Sequence, residues 1–173
     1  MKLTRGNFEQ LALEHVDAVY RVAISLCGNP TEAEDLAQET YLRAFQAADS
    51  FELRDYGIKP WLLRILNNIH FTRGRRESMQ PRAIDDMHLH SIPDTEAATK
   101  GVGGEWEANE DLAQAMAQLP AELRATLTLW SVDELSYKEI ADVMDVPIGT
   151  VMSRLHRGRE RLRELLNPAP ARE

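Results

Sequence analysis

Residues 136–166 read SYKEIADVMDVPIGTVMSRLHRGRERLRELL, and the order of elements in this stretch decides the fold. Ile140, Ala141 and Met144 recur at helical spacing and give a short first helix one apolar side. Asp145 tolerates a turn conformation, and Pro147 suits the first position of a new helix. In the longer helix that follows, Val151, Leu155, Leu162 and Leu166 mark a buried stripe, while Ser153, Arg154 and Arg157 point away from it. A short helix, a tight turn and a basic helix in that order form a helix-turn-helix whose second helix offers hydroxyl and guanidinium groups to a groove. An ordinary amphipathic hairpin would carry the same pattern, so the separation rests on the remainder of the chain.

Working outward, the 173 residues suit one domain or two small ones. No run of about 18 apolar residues is present, so membrane insertion is not expected. The N-terminal MKLTRGNFEQ has no apolar signal core, which points to the cytoplasm. Cys27 is the one cysteine, which excludes an internal disulfide and a multi-thiolate zinc site; its spacing to Ala23 and Leu26 suits a small core residue. The net charge of −8 is unevenly spread: −5 over residues 1–58, +5 over 59–82, −7 over 83–111, −4 over 112–145 and +3 over 146–173. Two basic islands lie in an acidic chain, so phosphates are attracted locally while indiscriminate binding to a polyanion is suppressed.

Strand signals are nearly absent and an all-α chain is expected. Phe8, Leu11, Ala12, Val19, Val22, Ala23 and Leu26 form the inner stripe of a first helix, stopped by Gly28-Asn29-Pro30. Thr31 with Glu34 makes a capping-box signature opening a second helix through about Ala48. Its apolar stripe runs from Ala33 and Leu36 through Phe45 to Ala48. A loop covers 49–59, and Pro60 starts a third helix reaching about Arg76. Residues 77–110, with Pro81, Pro93, Gly101, Gly103, Gly104 and many acids, read as a linker. Helices over 111–119, 121–132, 136–144 and 147–166 follow.

Three constellations could carry function. On the second helix Asp35, Gln38, Glu39 and Leu42 share one face opposite the buried stripe. An exposed leucine among carboxylates fits a docking surface for a basic partner, and a solvated acidic face fits equally. On the third helix Leu62, Ile65, Leu66 and Ile69 face inward. Trp61, Arg64, Asn68, Phe71 and Arg75 follow one another along an adjoining face, with Arg73 and Arg76 near its end. Rings that stack on bases, an amide that reads an edge and guanidinium groups that hold phosphates suit an unstacked strand. The competing reading makes Trp61 and Phe71 core residues and the arginines a solvated helix end. His88 and His90, beside Asp85 and Asp86, lie in the linker without a further ligand helix, so no metal site is expected. No phosphate loop and no nucleophile–base set can be assembled, so neither catalytic residues nor a cofactor are expected.

Taken together, three ordered stretches resemble the extracytoplasmic-function (ECF, group IV) sigma factors of bacterial RNA polymerase. AEDLAQETYLRAF at 33–45 looks like the family's polymerase-docking helix, and KPWLLRILNNIHFTRGRR at 59–76 looks like its promoter-melting segment. Residues 119–166, from LPAELRATLTLW to RERLRELL, look like its C-terminal helix-turn-helix domain. The resemblance implies two small helical domains. The first is a three-helix sigma region 2 domain over 1–78; an acidic linker over 79–110 joins it to a sigma region 4 domain over 111–168. It implies that Asp35, Gln38, Glu39 and Leu42 meet the clamp helices of core RNA polymerase. It implies a minus-ten contact set of Phe51, Lys59, Trp61, Arg64, Asn68, Phe71, Arg73, Arg75 and Arg76. For the minus-thirty-five element it implies Met152, Ser153, His156 and Arg157, with Arg154 on a phosphate or an intradomain acid. An anti-sigma factor that masks both domains is a partner of the same class.

The chain departs from the family's pattern at three places. Met152 stands where many relatives carry Lys or Arg, and Thr72 where Asp is common. Gly158 occupies a position where Ala is usual, at a cost of about 1 kcal/mol in helix propensity unless close packing needs the space. Two other functions are weighed against the resemblance. A stand-alone helix-turn-helix regulator leaves the 33–76 pattern unexplained, and a small acidic enzyme lacks a convergent catalytic set.

Overall fold

The computed structural model describes residues 4–78, 110–131 and 134–168, with side chains described as far as Arg75 in the first stretch. Every regular element among them is helical. In chain order these are α1 (Arg5–Leu13), α2 (Val16–Cys27), α3 (Pro30–Gln46), a 3-10 turn (Ala48–Ser50) and α4 (Lys59–Ser78), then α5 (Glu110–Ala117), α6 (Ala121–Ser131), α7 (Tyr137–Met144) and α8 (Ile148–Leu166). They form two compact units, the first built from α1–α4 and the second around α5, α6 and α8, with α7 leading into α8. The linker histidines and their neighbouring aspartates lie outside the described residues, as do Asp133 and the chain ends.

The first unit holds four helices where three were expected, because the first expected helix breaks at Glu14 and His15. His15 adopts φ −105° and ψ 14°, outside the helical region. The apolar row explains the break: between Ala12 and Val19 the inward rung falls on His15 and on Val16, which is exposed. α2 ends at Gly28, whose φ of 68° supplies the left-handed cap. α3 opens two residues earlier than the capping-box reading had it. Asn29 is the cap, its Oδ1 accepting from the backbone N–H of Thr31 at 2.9 Å, and Pro30 takes the first helical position.

The core of this unit joins Leu36 of α3 to Leu62, Leu63, Leu66 and Ile69 of α4, all fully buried. Ile65, expected to face inward, is only half-buried, and Leu63 takes its place. Around Phe8 an aromatic cluster gathers Phe45, Phe51 and Trp61, with ring centroids 6.3, 5.4 and 5.8 Å away. The Tyr41 hydroxyl donates to the Ala12 carbonyl at 2.9 Å and ties α3 to the end of α1.

In the second unit α6 is buried along almost its whole length from Ala125 to Leu129 and receives α8. Ser136 caps α7 reciprocally: its backbone N–H donates to Glu139 Oε2 at 2.8 Å, and its hydroxyl accepts from the Glu139 N–H at 3.3 Å. Asp145 makes the turn with φ 55°, and Pro147 is the cap of α8 in extended conformation rather than its first helical residue. Val151, Leu155 and Leu162 are buried as expected, but Leu166 is exposed at the fraying end of α8. Gly158 lies against Leu127: a Cβ there would stand 2.8 Å from Leu127 Cδ1. A side chain at 158 therefore needs Leu127 to shift, so the glycine suits the close approach of α8 to α6 despite its poor helix propensity.

Candidate nucleic-acid and partner-docking surfaces

On α3 the buried row Ala33, Leu36, Thr40 and Ala44 sends Asp35, Gln38 and Leu42 outward. Leu42 is 58 % exposed, the most exposed of the large apolar residues described. Glu39 sits between, half-buried, and is held by two arginines: Arg43 on its own helix at 2.5 Å, and Arg73 of α4. The four expected docking residues therefore do lie on one side of α3. It is an apolar centre bordered by carboxylates whose cations come from inside the same unit.

On α4 Arg64 is half-exposed, Asn68 and Arg75 are exposed, and Phe71 is half-buried, edge-on to His70 at 5.4 Å. These four lie along one outward side, so the amide, the ring and two guanidinium groups of the expected base-contact row are presented together. Lys59 opens the helix and is half-buried; the Arg76 side chain is outside the described residues. Three residues of the expected set are placed differently. Phe51 is buried and packs against Trp61 at 4.7 Å, so its ring supports Trp61 rather than reaching outward. Trp61 itself is half-buried in the Phe8 cluster and keeps only part of its surface for a ligand. Arg73 is turned towards α3, where it meets Asp35 at 3.1 Å as well as Glu39.

On α8 Ser153 and Met152 are half-exposed and His156 and Arg157 are exposed. His156 Nε2 lies 3.4 Å from Glu160 Oε1, one turn on. Arg154 is corrected from the outward set: it is buried and pairs with Glu122 of α6 at 3.1 Å. The reason lies in helical position, since Arg154 falls between Val151 and Gly158 in the row that faces α6. Arg159 lies 4.3 Å above the ring centroid of Trp130, a cation–π contact that fixes a second arginine of this helix inside the unit. Sequence reasoning passed over Ile148, which is 46 % exposed at the start of α8. Its signal was present: Ile148 stands four residues before Met152 and eight before His156, in the same outward row.

Among the described residues no group of three or more His, Cys, Asp or Glu side chains is placed to hold a metal ion. Among them, too, no helix is long and apolar enough to cross a membrane.

Residues 11–78 match the family described as Sigma-70 region 2, and residues 109–162 match Sigma-70, region 4. The chain is 34% identical over 160 residues to the ECF RNA polymerase sigma factor SigE of Mycolicibacterium smegmatis; the match covers 92% of this chain and 62% of that protein. It is also 34% identical over 163 residues to the ECF RNA polymerase sigma factor SigW of Bacillus subtilis, covering 87% of this chain and 83% of the relative. Among solved structures, the sigma factor RpoE of Bartonella quintana, determined in complex with the anti-sigma factor NepR, is similar with a TM-score of 0.70 at 29% identity. That match covers 95% of this chain and 99% of the other. The acid-bordered leucine of α3, the amide and arginine row of α4 and the helix-turn-helix of α7–α8 thus fall within the two matched regions, and the chain belongs to the ECF RNA polymerase sigma factors.

Proposed function

We propose that this chain recruits core RNA polymerase to a particular class of promoters and helps to open them. In this reading Asp35, Gln38, Glu39 and Leu42 dock on the polymerase. Asn68, with Arg64, Phe71, Arg75 and the accessible part of Trp61, captures unstacked bases of the minus-ten element. Ser153, His156 and Arg157 read the upstream element in its major groove, flanked by Ile148 and Met152 as apolar contacts for thymine methyl groups. The acidic stretch between the domains acts as a tether that discourages stray binding to nucleic acid. The chain carries out no covalent chemistry and works where the polymerase works, in the cytoplasm. A masking partner of the anti-sigma class is expected to cover these same surfaces.

The observation that carries this reading is the placement of two different surfaces on one unit: an outward leucine among carboxylates on α3, and an outward amide, ring and guanidinium row on α4. A stand-alone DNA-binding protein has no use for the first. Promoter-dependent run-off transcription tests it. Transcript should require both this chain and core polymerase, and the free chain should retain little duplex. Equal duplex binding with and without polymerase, and no transcript, would return the chain to the class of independent regulators.

A further inference from the structure

Along α4 the inward row runs Leu62, Leu66 and Ile69, at spacings of four and three, and Arg73 comes four residues later. Arg73 is thus the next member of the core row rather than of the outward row Arg64, Asn68, Phe71 and Arg75. It leaves the core towards α3, where its Nη2 meets Asp35 Oδ2 at 3.1 Å and Glu39 Oε2. Asp35 and Glu39 lie one turn apart on α3, a spacing at which like charges repel. A guanidinium shared between them removes that repulsion and limits the rotamers of both carboxylates. The Arg73 side chain is 37% exposed and that of Glu39 28%, so water screens this pair only in part. Partial burial pushes the Glu39 carboxyl up, yet the hydrogen bonds and charges of Arg73 and Arg43 outweigh it and hold the group below its ordinary value.

We propose that Arg73 is a positioning residue of the docking surface: it holds Asp35 and Glu39 in the arrangement presented to core polymerase, and it does not contact promoter DNA. This rests on the docking reading of α3. A guanidinium engaged by two carboxylates has little left to offer a phosphate, and its direction from α4 carries it away from the base-contact row. The sequence pattern placed it at the end of that row because charge alone does not distinguish an arginine that emerges from the core side.

The test compares Arg73→Gln, Glu39→Gln and the double variant in the full chain. Two quantities are read: titrated affinity for core polymerase, and affinity of the preassembled holoenzyme for a single-stranded minus-ten oligonucleotide. Arg73→Gln should weaken core binding about two- to fivefold, the scale of a partly exposed ion pair. The double variant should be weaker than Glu39→Gln by clearly less than the factor Arg73→Gln shows alone, because only the arginine's hold on Asp35 is left to lose. Arg73→Lys, which keeps the charge, should recover part of the loss, and oligonucleotide affinity should stay within about twofold. Losses that multiply in the double variant, or an oligonucleotide defect with intact core affinity, would overturn the proposal. Melting temperatures identify any variant that fails to fold, in which case the lysine variant carries the comparison. Leu42→Ala separates the two levels: if it binds core polymerase as the parent does, the docking reading fails and this inference with it. If Leu42→Ala is impaired while Arg73→Gln is not, only the inference fails.

Discussion

Arg73 on α4 and Arg154 on α8 invite comparison, because each stands in a basic helix and each turns to a glutamate of the neighbouring helix in its own unit. Arg73 meets carboxylates that border an outward face, and more than a third of its side chain remains exposed. Arg154 is only 10% exposed; among the described residues its ion pair is with Glu122, and none of them gives its buried Nε a hydrogen bond. The difference teaches that an arginine's role follows from its row on the helix more than from its charge. Both belong to inward rows, one at the open edge of a core and one well inside it. The first can therefore shape a surface, whereas the second serves the packing of α8 on α6.

The comparison can be broken most readily at its buried member. Arg154→Ala strands the Glu122 carboxylate and should destabilise the second unit by about 2–3 kcal/mol, read from urea midpoints. Arg154→Met with Glu122→Gln should recover most of that loss, since a filled apolar volume replaces an imperfectly satisfied pair. Next comes the place where the two helices touch. Gly158→Ala should cost about 1–3 kcal/mol through overpacking against Leu127, despite alanine's better helix propensity. A variant as stable as the parent would show that Leu127 has room to move. In the first unit Tyr41→Phe should cost about 1 kcal/mol by deleting the bond to Ala12. Burial, with a smaller contribution from Asp17, pushes this phenol up to about 12. The unfolded chain releases the proton near pH 10 and the folded one later, so stability should fall as pH rises from about 10 to about 12. That fall should be absent from the phenylalanine variant.

The smallest effect on stability is expected at Arg73 itself, under about 1 kcal/mol for Arg73→Gln at neutral pH. The Glu39 carboxyl is held down in the folded chain, so its contribution is present above the ordinary carboxylate range and lost as pH falls through the folded value. Acid melting should therefore become shallower in Arg73→Gln. A loss as large as that of Arg154→Ala would erase the distinction between the two arginines.

The helices of both units were legible because their apolar rows are long and their stops are chemically plain, as at Gly28 and Pro30. The break at His15 was not, since it is marked only by a missing inward rung and not by glycine or proline. The docking face was legible from Asp35, Gln38, Glu39 and Leu42, because an outward leucine in a polar row stands out from periodicity. The burial of Phe51 was not, because a loop residue has no period from which its direction can be read. The directions of Arg154 and Arg73 were hard to read for a shared reason: each stands in an apolar row with a charge that suits the outer face, and the facing glutamates show where each turns, Arg154 taking the intradomain acid of its two expected partners. Gly158 read as a cost until Leu127 came opposite it.

Leu42 has one further consequence. Covering the 58 % of Leu42 that is exposed is worth about 0.9–1.7 kcal/mol, roughly a four- to twentyfold tightening for whichever protein covers it. One side chain can give that gain to a single partner at a time. Any two proteins that seal this leucine are therefore mutually exclusive, and each one's share of the chain follows its free concentration divided by its own dissociation constant. Abundance then becomes the quantity that assigns the molecule: a modest change in the amount of either rival redistributes the whole population without any change of shape.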